Sequence, residues 1–267
     1  MSDCIFYQDG DYFVPTRYAE GPWAPQWQHG SPPAALLCYG VEQHRSHDMH
    51  LARLTIDLFR AVPMTPLKLE TDVIRDGKRI KAVAAALFDE QGTEICRASS
   101  LFFGKTPLDE VPERFAPAHC DIPYPGSFEP LPFVNTHSTQ VMAGLNGIME
   151  MQRVEGVMGS GSGTCWTRLP INVISGVENT PNLRAAIASD YGNGIGQVHV
   201  DQYTGFINAD INLYLHREPV GEWVCVEAKG IAEATGVGLV ESRLYDQLGA
   251  FGKVVQTTMA NQRRPKP

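Results

Sequence analysis

The chain has 267 residues, of which 43% are hydrophobic and 19% charged, so it can build one large folded domain or two of ordinary size. Its formal net charge of −8 disfavours non-specific binding to nucleic acid. No stretch approaches the roughly 18 apolar residues of a membrane span, and the first residues lack the basic start and apolar run of a signal peptide. We therefore expect a globular protein with neither a membrane span nor nucleic acid as a partner.

The six cysteines are scattered along the chain and form no CxxC pair, which argues against a zinc site. Such isolated thiols are typical of reduced, buried cysteines, and we expect a cytoplasmic protein. The Gly-Ser-rich segment 159–163 lacks the Lys of a phosphate-binding loop, and no GxSxG nucleophile motif occurs. We expect no metal and no cofactor.

The first predicted element is a helix. His29-Gly30 ends a stretch broken up by Pro and Gly, Ser31 is a typical N-cap residue, and Pro32 suits the first helical position. Good helix formers follow, with several apolar side chains among them. The pattern predicts a mostly buried helix over 31–45.

Strands are predicted after this helix. Apolar residues alternate over 53–62, and the segment 67–104 contains two turns, at Asp76-Gly77 and at 89–92. Seven prolines then fall between 105 and 135, which is typical of a linker on the surface. The predicted division of the chain is a first domain over 1–110, a linker over 111–135 and a second domain over 136–267.

The second half repeats the order of strands, helix and strands. Pro181 opens a helix that is predicted to end near Gly192 to Gly194. The predicted strands are 147–156 and 163–169 before the helix, and 206–217, 222–235, 238–246 and 251–260 after it.

The two halves also match residue by residue. LTIDLFR at 54–60 resembles INLYLHR at 211–217, and FDEQG at 88–92 resembles YDQLG at 245–249, each 157 residues apart. The constant spacing indicates an internal duplication. At this spacing Arg53, Lys78 and Ser99 correspond to Asp210, Thr235 and Gln256, so the framework repeats while the polar residues differ.

A long helix followed by an antiparallel sheet, twice, predicts an α+β fold. Each sheet buries its concave face by wrapping around a central apolar helix. The two halves can then pair edge to edge, which removes unpaired strand edges. We expect a double hotdog, two tandem hotdog folds each with an antiparallel sheet around a central helix.

The residues resemble the bacterial acyl-CoA thioesterase II family. GPWAPQWQHGSPPAALL at 21–37 is similar to the start of its first hotdog, and SDYGNGIG at 189–196 to its second central helix. ADINLYLHREPVGEWV at 209–224, followed by LYDQLGAFGKVVQ at 244–256, is similar to its C-terminal sheet. The resemblance implies hydrolysis of acyl-CoA to free acid and CoA.

The resemblance also implies catalytic residues. In that family an Asp, a Thr or Ser, and a Gln of the second hotdog hold and activate the attacking water. The Asp matches Asp210, which precedes His216-Arg217 in the pattern D-x5-HR, and the Gln matches Gln256 in the last strand. Thr235 is the nearest hydroxyl to the remaining position.

Further candidates lie near the helices. Asp190 is a second catalytic candidate, because hotdog enzymes often carry an acid on the central helix. His29 and Gly30 precede the first helix, where N–H groups can bind an anionic ligand. Asn193 and Gly194 are substrate-binding candidates at the end of the second helix.

Two other functions stay open. A hotdog enoyl-CoA hydratase would pair an acid with a histidine, for which Asp190 and His199 are available. A non-catalytic protein that binds acyl thioesters would need neither. Because two fused hotdogs resemble one dimer of single hotdogs, we also expect assembly into a homo-oligomer.

Overall fold

The computed structural model describes residues 3–117, 119–125, 143–157 and 159–262. Its strands form one sheet, ordered β7-β8-β12-β13-β14-β11-β3-β6-β5-β4-β2-β1-β9, with β10 beside β14. The strands are β1 Cys4–Asp9, β2 Tyr12–Pro15, β3 Met49–Leu58, β4 Leu67–Arg75, β5 Ile80–Phe88, β6 Glu94–Gly104, β7 Glu150–Gly156, β8 Ser162–Arg168, β9 Asn172–Ile174, β10 Thr204–Asn208, β11 Asp210–Leu215, β12 Val224–Ala232, β13 Val237–Asp246 and β14 Gly249–Gln262.

The two halves join through strands β3 and β11, which pair antiparallel. Leu54 lies opposite Leu213 and Ile56 opposite Ile211, and all four side chains are buried. In the repeat Leu54 corresponds to Ile211 and Ile56 to Leu213, so a local two-fold rotation relates one pair to the other. The predicted edge-to-edge pairing of the halves is confirmed.

Two long helices cover the concave face of the sheet. They are α1 (Ser31–Glu42) and α3 (Pro181–Ile195), and a single turn, α2 (Leu145–Ile148), lies before β7. Helix α1 is almost entirely buried, as predicted, but ends three residues before the predicted 45. Its N-cap is Gly30 rather than Ser31, because the Ser31 hydroxyl donates to the carbonyl oxygen of Ile187 in α3 instead of capping its own helix.

Helix α3 begins as predicted at Pro181, with Thr180 accepting from the Leu183 N–H at 3.1 Å. It continues past Gly192 and Gly194 to Ile195. Glycine at 192 is required by packing, since a Cβ there would lie 2.6 Å from Ser242 Oγ and 2.7 Å from Gln256 Oε1. The helix therefore approaches the sheet more closely than a side chain would allow.

Three short strands were not predicted from the sequence. Strand β1 pairs with β2 and, in parallel, with β9, so a strand of the first half binds one of the second. Cys4, Ile5 and Phe6 are all buried, which leaves no alternation of apolar and polar residues to mark β1. Together, β2, β1 and β9 extend the sheet beyond β4.

The ungapped repeat is wrong by one residue in the last strand. The β5–β6 hairpin has three residues in its turn, Glu90 to Gly92, whereas the β13–β14 hairpin has two, Gln247 and Leu248. As a result Val83 faces Ser100 while Val240 faces Gln256. Gln256 therefore corresponds to buried Ser100, and not to exposed Ser99.

Residues 120–124 of the predicted linker pack on the second half, where Cys120 and Ile122 contact its buried side chains. Trp166 of β8 donates from Nε1 to the carbonyl oxygen of Pro123 at 2.9 Å, and its ring meets Tyr124 edge-on at 5.2 Å. Residues 118 and 126–135 of that linker lie outside the described residues. None of the helices in the described residues has the length and apolar character needed to span a membrane.

Candidate active site

The two halves bring an acid and an imidazole together where α3 crosses the start of α1. Asp190 of α3 and His29, just before α1, lie 2.9 Å apart between Oδ2 and Nδ1. Both side chains are largely buried, with 6% of Asp190 and 14% of His29 exposed. The pair is made only by tertiary contact, since its members are 161 positions apart in the chain.

The Asp190 carboxylate is surrounded by donors. Asn208 donates to Oδ1 at 3.0 Å, and the Ser31 hydroxyl lies 3.4 Å from Oδ2. Burial on its own raises the pKa of Asp190, but the hydrogen bond from His29, the charge that this ring carries when it is protonated, the bond from Asn208 and the nearby Ser31 hydroxyl lower it more. The net shift is downward, so Asp190 is a carboxylate at neutral pH.

Gly30 lets the carboxylate come this close. A Cβ at Gly30 would lie 2.6 Å from Asp190 Oδ2 and 2.7 Å from Oδ1. The requirement is steric rather than conformational, because the φ angle of Gly30 is −69°. The carboxylate is thus packed against the backbone that leads into α1.

The His29 ring has a fixed orientation. It stacks on Tyr191 with 5.0 Å between ring centroids and 23° between planes, and the Tyr191 hydroxyl donates to Asn146 Oδ1 at 3.0 Å. Nδ1 also lies 3.2 Å from the Ser31 N–H, but it cannot accept from Ser31 while donating to a carboxylate. We assign the hydrogen to Nδ1, because an unprotonated Nδ1 would direct its lone pair at a negative charge.

Asn193 lies next to the cluster formed by His29, Asp190 and Asn208, whereas Gly194 does not. Asn193 Nδ2 lies 3.3 Å from both Asn208 Oδ1 and the carbonyl oxygen of Phe206, while its own Oδ1 is buried without a partner among the described residues. A Cβ at Gly194 would meet nothing within 4 Å. Gly194 instead borders a small cleft between the end of α3 and the β7–β8 hairpin.

Gln256 lies on the other side of α3. It is fully buried beneath Gly192, and neither its amide oxygen nor its amide nitrogen has a hydrogen-bond partner in the described residues. The hydroxyl of Ser242, which lies beside it, is also buried and has no hydrogen-bond partner in the described residues. Because buried amides and hydroxyls are costly without partners, these two side chains are candidates for a role other than packing.

The structure does not bring Asp210 to Gln256. Asp210 Oδ1 accepts from the N–H and the hydroxyl of Thr257, at 2.6 and 2.7 Å, and Oδ2 accepts from Asn212 at 2.6 Å. Thr257 and Gln256 are neighbours in β14, so their side chains point to opposite faces of the sheet. Asp210 is on the outer face.

Thr235 and His199 are also distant from the cluster. Thr235 is exposed in the turn between β12 and β13, at the position that corresponds to Lys78 in the turn between β4 and β5. His199 is exposed and bonds to Gln197 through Nε2 at 2.8 Å. Neither contacts Asp190.

Sequence reasoning missed Asn208, Ser31 and Ser242. Asn208 precedes Asp210 by two residues and would be expected to share its face of the strand. Ala209 instead interrupts the pairing between β10 and β11, so Asn208 points inward and Asp210 outward. Ser242 could have been found from its inward position opposite Val254, once the register of β13 was known.

Family comparisons agree with this architecture. Models of two acyl-CoA thioesterase domains match the chain, the N-terminal domain over 19–103 and the C-terminal domain over 123–260. The chain belongs to the acyl-CoA thioesterase family. It is therefore a thioester hydrolase by family, and the predicted resemblance is confirmed. A search of curated proteins found no match.

Solved structures show the fold independently. An acyl-CoA thioesterase II from Mycobacterium marinum has a TM-score of 0.63 at 13% identity, over 97% of this chain and 95% of that chain. A protein of unknown function with a hot dog fold, from Alicyclobacillus acidocaldarius, has a TM-score of 0.69 at 13% identity, over 98% and 96%. The tesB protein of Mycobacterium avium subspecies paratuberculosis scores 0.63 at 13% identity, over 96% of each chain. The predicted double hotdog is confirmed.

Proposed function

We propose that this acyl-CoA thioesterase family member hydrolyses acyl-CoA at the junction of α1 and α3, with His29, Gly30 and Asp190 in the reacting site. The observation that carries the proposal is the Asp190–His29 pair, built from both halves at the start of α1. An ionised acid in contact with an imidazole can supply the general base that acyl transfer to water needs.

The start of α1 supplies a place for the negative oxygen that forms during attack. Pro32 and Pro33 have no N–H, so the first N–H groups at the start of the helix are those of Gly30 and Ser31, and the Ser31 nitrogen lies 3.2 Å from His29 Nδ1. These groups lie beside the Asp190–His29 pair and carry the positive end of the helix dipole. They are suited to hold the thioester oxygen as it becomes an oxyanion.

Gln256 keeps a proposed role in holding water. Its unpartnered amide and the Ser242 hydroxyl lie beneath Gly192, on the side of α3 opposite to the Asp190–His29 pair. We propose that they share a structural water there, separate from the water that attacks the thioester, and that Ser242 rather than Thr235 is the hydroxyl beside Gln256. Asp190, and not Asp210, is proposed as the required carboxylate, because Asp210 faces away from these groups.

The test is release of free thiol from acyl-CoAs of different chain length. We expect release by the wild-type protein and its loss in Asp190→Asn, with Asp210→Asn as the matched control that retains the rate. A folded Asp190→Asn with full activity would contradict the site. Loss in Asp210→Asn alone would favour the outer face of the sheet instead, and absence of release from every chain length would favour a protein that only binds acyl thioesters.

Hydration of enoyl-CoA is the second candidate, because an acid in contact with a histidine also suits that chemistry. It requires both groups to act on the substrate directly, whereas Asp190 is already bonded to His29 and Asn208 and packed on Gly30. We therefore rank it below hydrolysis. Loss of the enoyl absorbance during incubation with an enoyl-CoA would reverse that ranking.

We further propose a cytoplasmic location and a homo-oligomeric assembly. The six cysteines are free thiols, and all except Cys120 are buried, as suits a reducing compartment. Fractionation of cells, with thiol labelling of the native protein, tests the location. Light scattering after gel filtration tests the assembly, and a monomeric mass would contradict it.

A further inference from the structure

We propose that His29 is the residue that takes the proton from the attacking water, and that Asp190 is a positioning residue that holds the ring for this task. The inference rests on the proposed hydrolysis of acyl-CoA and assigns the roles within it. It follows from three features of the pair. Both oxygens of the carboxylate already accept hydrogen bonds, Nε2 of the ring has no partner in the described residues, and the ring is held in one orientation.

Both oxygens of the Asp190 carboxylate already accept hydrogen bonds. Oδ2 accepts from His29, Oδ1 accepts from Asn208, and the backbone at Gly30 covers both oxygens so closely that a Cβ there would overlap them. A water that reacts with the substrate would have to displace one of these donors. The same donors hold the pKa of Asp190 below its usual value, although burial opposes them, and so make it a weaker base.

The imidazole of His29, in contrast, has a nitrogen that is available to accept a proton. Nδ1–H donates to Asp190, which leaves Nε2 of the neutral ring with a lone pair. Nε2 has no hydrogen-bond partner in the described part of the chain, and 14% of the side chain is exposed. Nε2 is therefore the one basic atom of the pair that can reach a water.

The direction of Nε2 is set by contacts on two sides. Asp190 fixes one edge of the ring and Tyr191 stacks on one of its planes. The Ser31 N–H, 3.2 Å from Nδ1, belongs to the start of α1, so the donors proposed for the oxyanion and the proposed base lie on adjoining residues. A base held in this way needs little reorganisation during the reaction.

The resulting step balances. Water oxygen forms a bond to the thioester carbonyl carbon, and one water proton moves to His29 Nε2. The carbon–sulfur bond then breaks, the electron pair leaves with sulfur, and the imidazolium returns the proton to give the CoA thiol. The products are the free acid and CoA, and Asp190 stays ionised throughout while it stabilises the imidazolium.

Chemical rescue tests the assignment. We expect kcat/KM to fall about 10³-fold or more in His29→Ala and about 10³- to 10⁴-fold in Asp190→Asn, which would hold the wrong tautomer. Added imidazole should restore part of the rate to His29→Ala, with saturation, and none to Asp190→Asn. His199→Ala, on the surface, is the matched control that keeps its rate with and without imidazole.

Two outcomes would overturn the assignment while leaving hydrolysis intact: an active His29→Ala, or a folded His29→Ala that imidazole does not rescue. If His29→Ala does not fold, His29→Gln keeps the volume and should be inactive. A separate measurement needs no loss of activity: the ring ¹⁵N shifts of His29 in the wild-type protein, assigned by their absence in His29→Gln. The neutral ring should carry its hydrogen on Nδ1, and hydrogen on Nε2 would contradict the proposal. If the wild-type protein releases no thiol at all, the proposed function fails instead.

Discussion

At one end of the helix pair Asp190 of α3 faces the start of α1, and at the other end Glu42 of α1 faces the start of α3. Glu42 Oε2 accepts from Thr180 at 2.6 Å, and Oε1 accepts from Asn182 at 2.7 Å and lies 3.6 Å from Arg45. The arrangement is alike at both ends, because the helices are antiparallel and related by the duplication. The partners differ: Glu42 meets two neutral donors and an arginine, whereas Asp190 meets an imidazole.

This difference separates a carboxylate that we expect to be structural, Glu42, from the one that we propose to be functional, Asp190. The amide, hydroxyl and guanidinium groups around Glu42 do not exchange protons near neutral pH. A histidine that donates a hydrogen bond to a carboxylate through one ring nitrogen keeps a second nitrogen that can accept a proton. An acid at a helix start is therefore insufficient, and the end that contains His29 is the one we assign to catalysis.

The largest expected effect separates the two ends directly. Asp190→Asn should lower kcat/KM by about 10³- to 10⁴-fold, whereas Glu42→Gln should change it by less than about tenfold. Glu42→Gln should instead cost about 2 kcal/mol of unfolding free energy, because it weakens hydrogen bonds to a charged group. Steady-state kinetics and urea unfolding measure the two quantities. Comparable losses of activity in both variants would erase the functional distinction between the ends.

The next effect compares the two repeated hairpins. In β13–β14, Asp246 is fully buried, bonds to both terminal nitrogens of Arg217 and accepts from the N–H groups of Val220 and Leu248. In β5–β6, Asp89 only accepts from N–H groups of its own turn. Asp246→Asn should cost about 3 kcal/mol of unfolding free energy and Asp89→Asn about 1 kcal/mol.

The dependence of stability on pH sharpens the same comparison. Burial raises the pKa of Asp246, but Arg217 and the two N–H groups lower it more, so its folded pKa is below the ordinary value. Its contribution to stability is therefore complete above the unfolded pKa and is lost as pH falls through the folded pKa. The loss of stability of the wild-type protein on acidification below about pH 4 should be smaller in Asp246→Asn. An unchanged acid profile would contradict this role.

The third effect compares two glycines that border the helices. Gly30→Ala places a Cβ 2.6 Å from Asp190 and should shift the carboxylate away from His29, lowering kcat/KM by about 10²-fold. Gly194→Ala meets nothing within 4 Å and should keep the rate, while raising the unfolding free energy by up to about 1 kcal/mol through helix propensity. Kinetics and thermal unfolding of both variants test the contrast. Equal rates would show that the close approach at Gly30 has no functional role.

The smallest effect compares Ser100 and Gln256, which are equivalent in the two halves. Ser100 donates to the carbonyl oxygen of Val83 at 2.8 Å, so Ser100→Ala should cost about 1 kcal/mol. Gln256 has no partner among the described residues, so Gln256→Leu should leave the unfolding free energy within about 1 kcal/mol while it reduces activity. Urea unfolding beside kinetics checks both. A large destabilisation by Gln256→Leu would show that the amide is structural.

The sequence by itself determined the duplication, the antiparallel sheet, the two central helices and the family. These follow from local patterns, such as Pro32 and Pro181 at helix starts, Asp76-Gly77 in a turn, and the matched runs at 54–60 and 211–217. Each is read within a few residues or by a constant spacing. The residues His29, Gly30 and Asp190 could also be singled out, because each lies at an end of a predicted helix.

Only the tertiary structure decided which of these residues meet. One residue fewer in the β13–β14 turn shifts the equivalent of Gln256 from Ser99 to Ser100, and the interruption at Ala209 turns Asn208 inward and Asp210 outward. In a strand, a slip of one residue reverses the face on which a side chain lies. The contact of Asp190 with His29 depends on how two helices cross, which neither helix encodes in its own sequence.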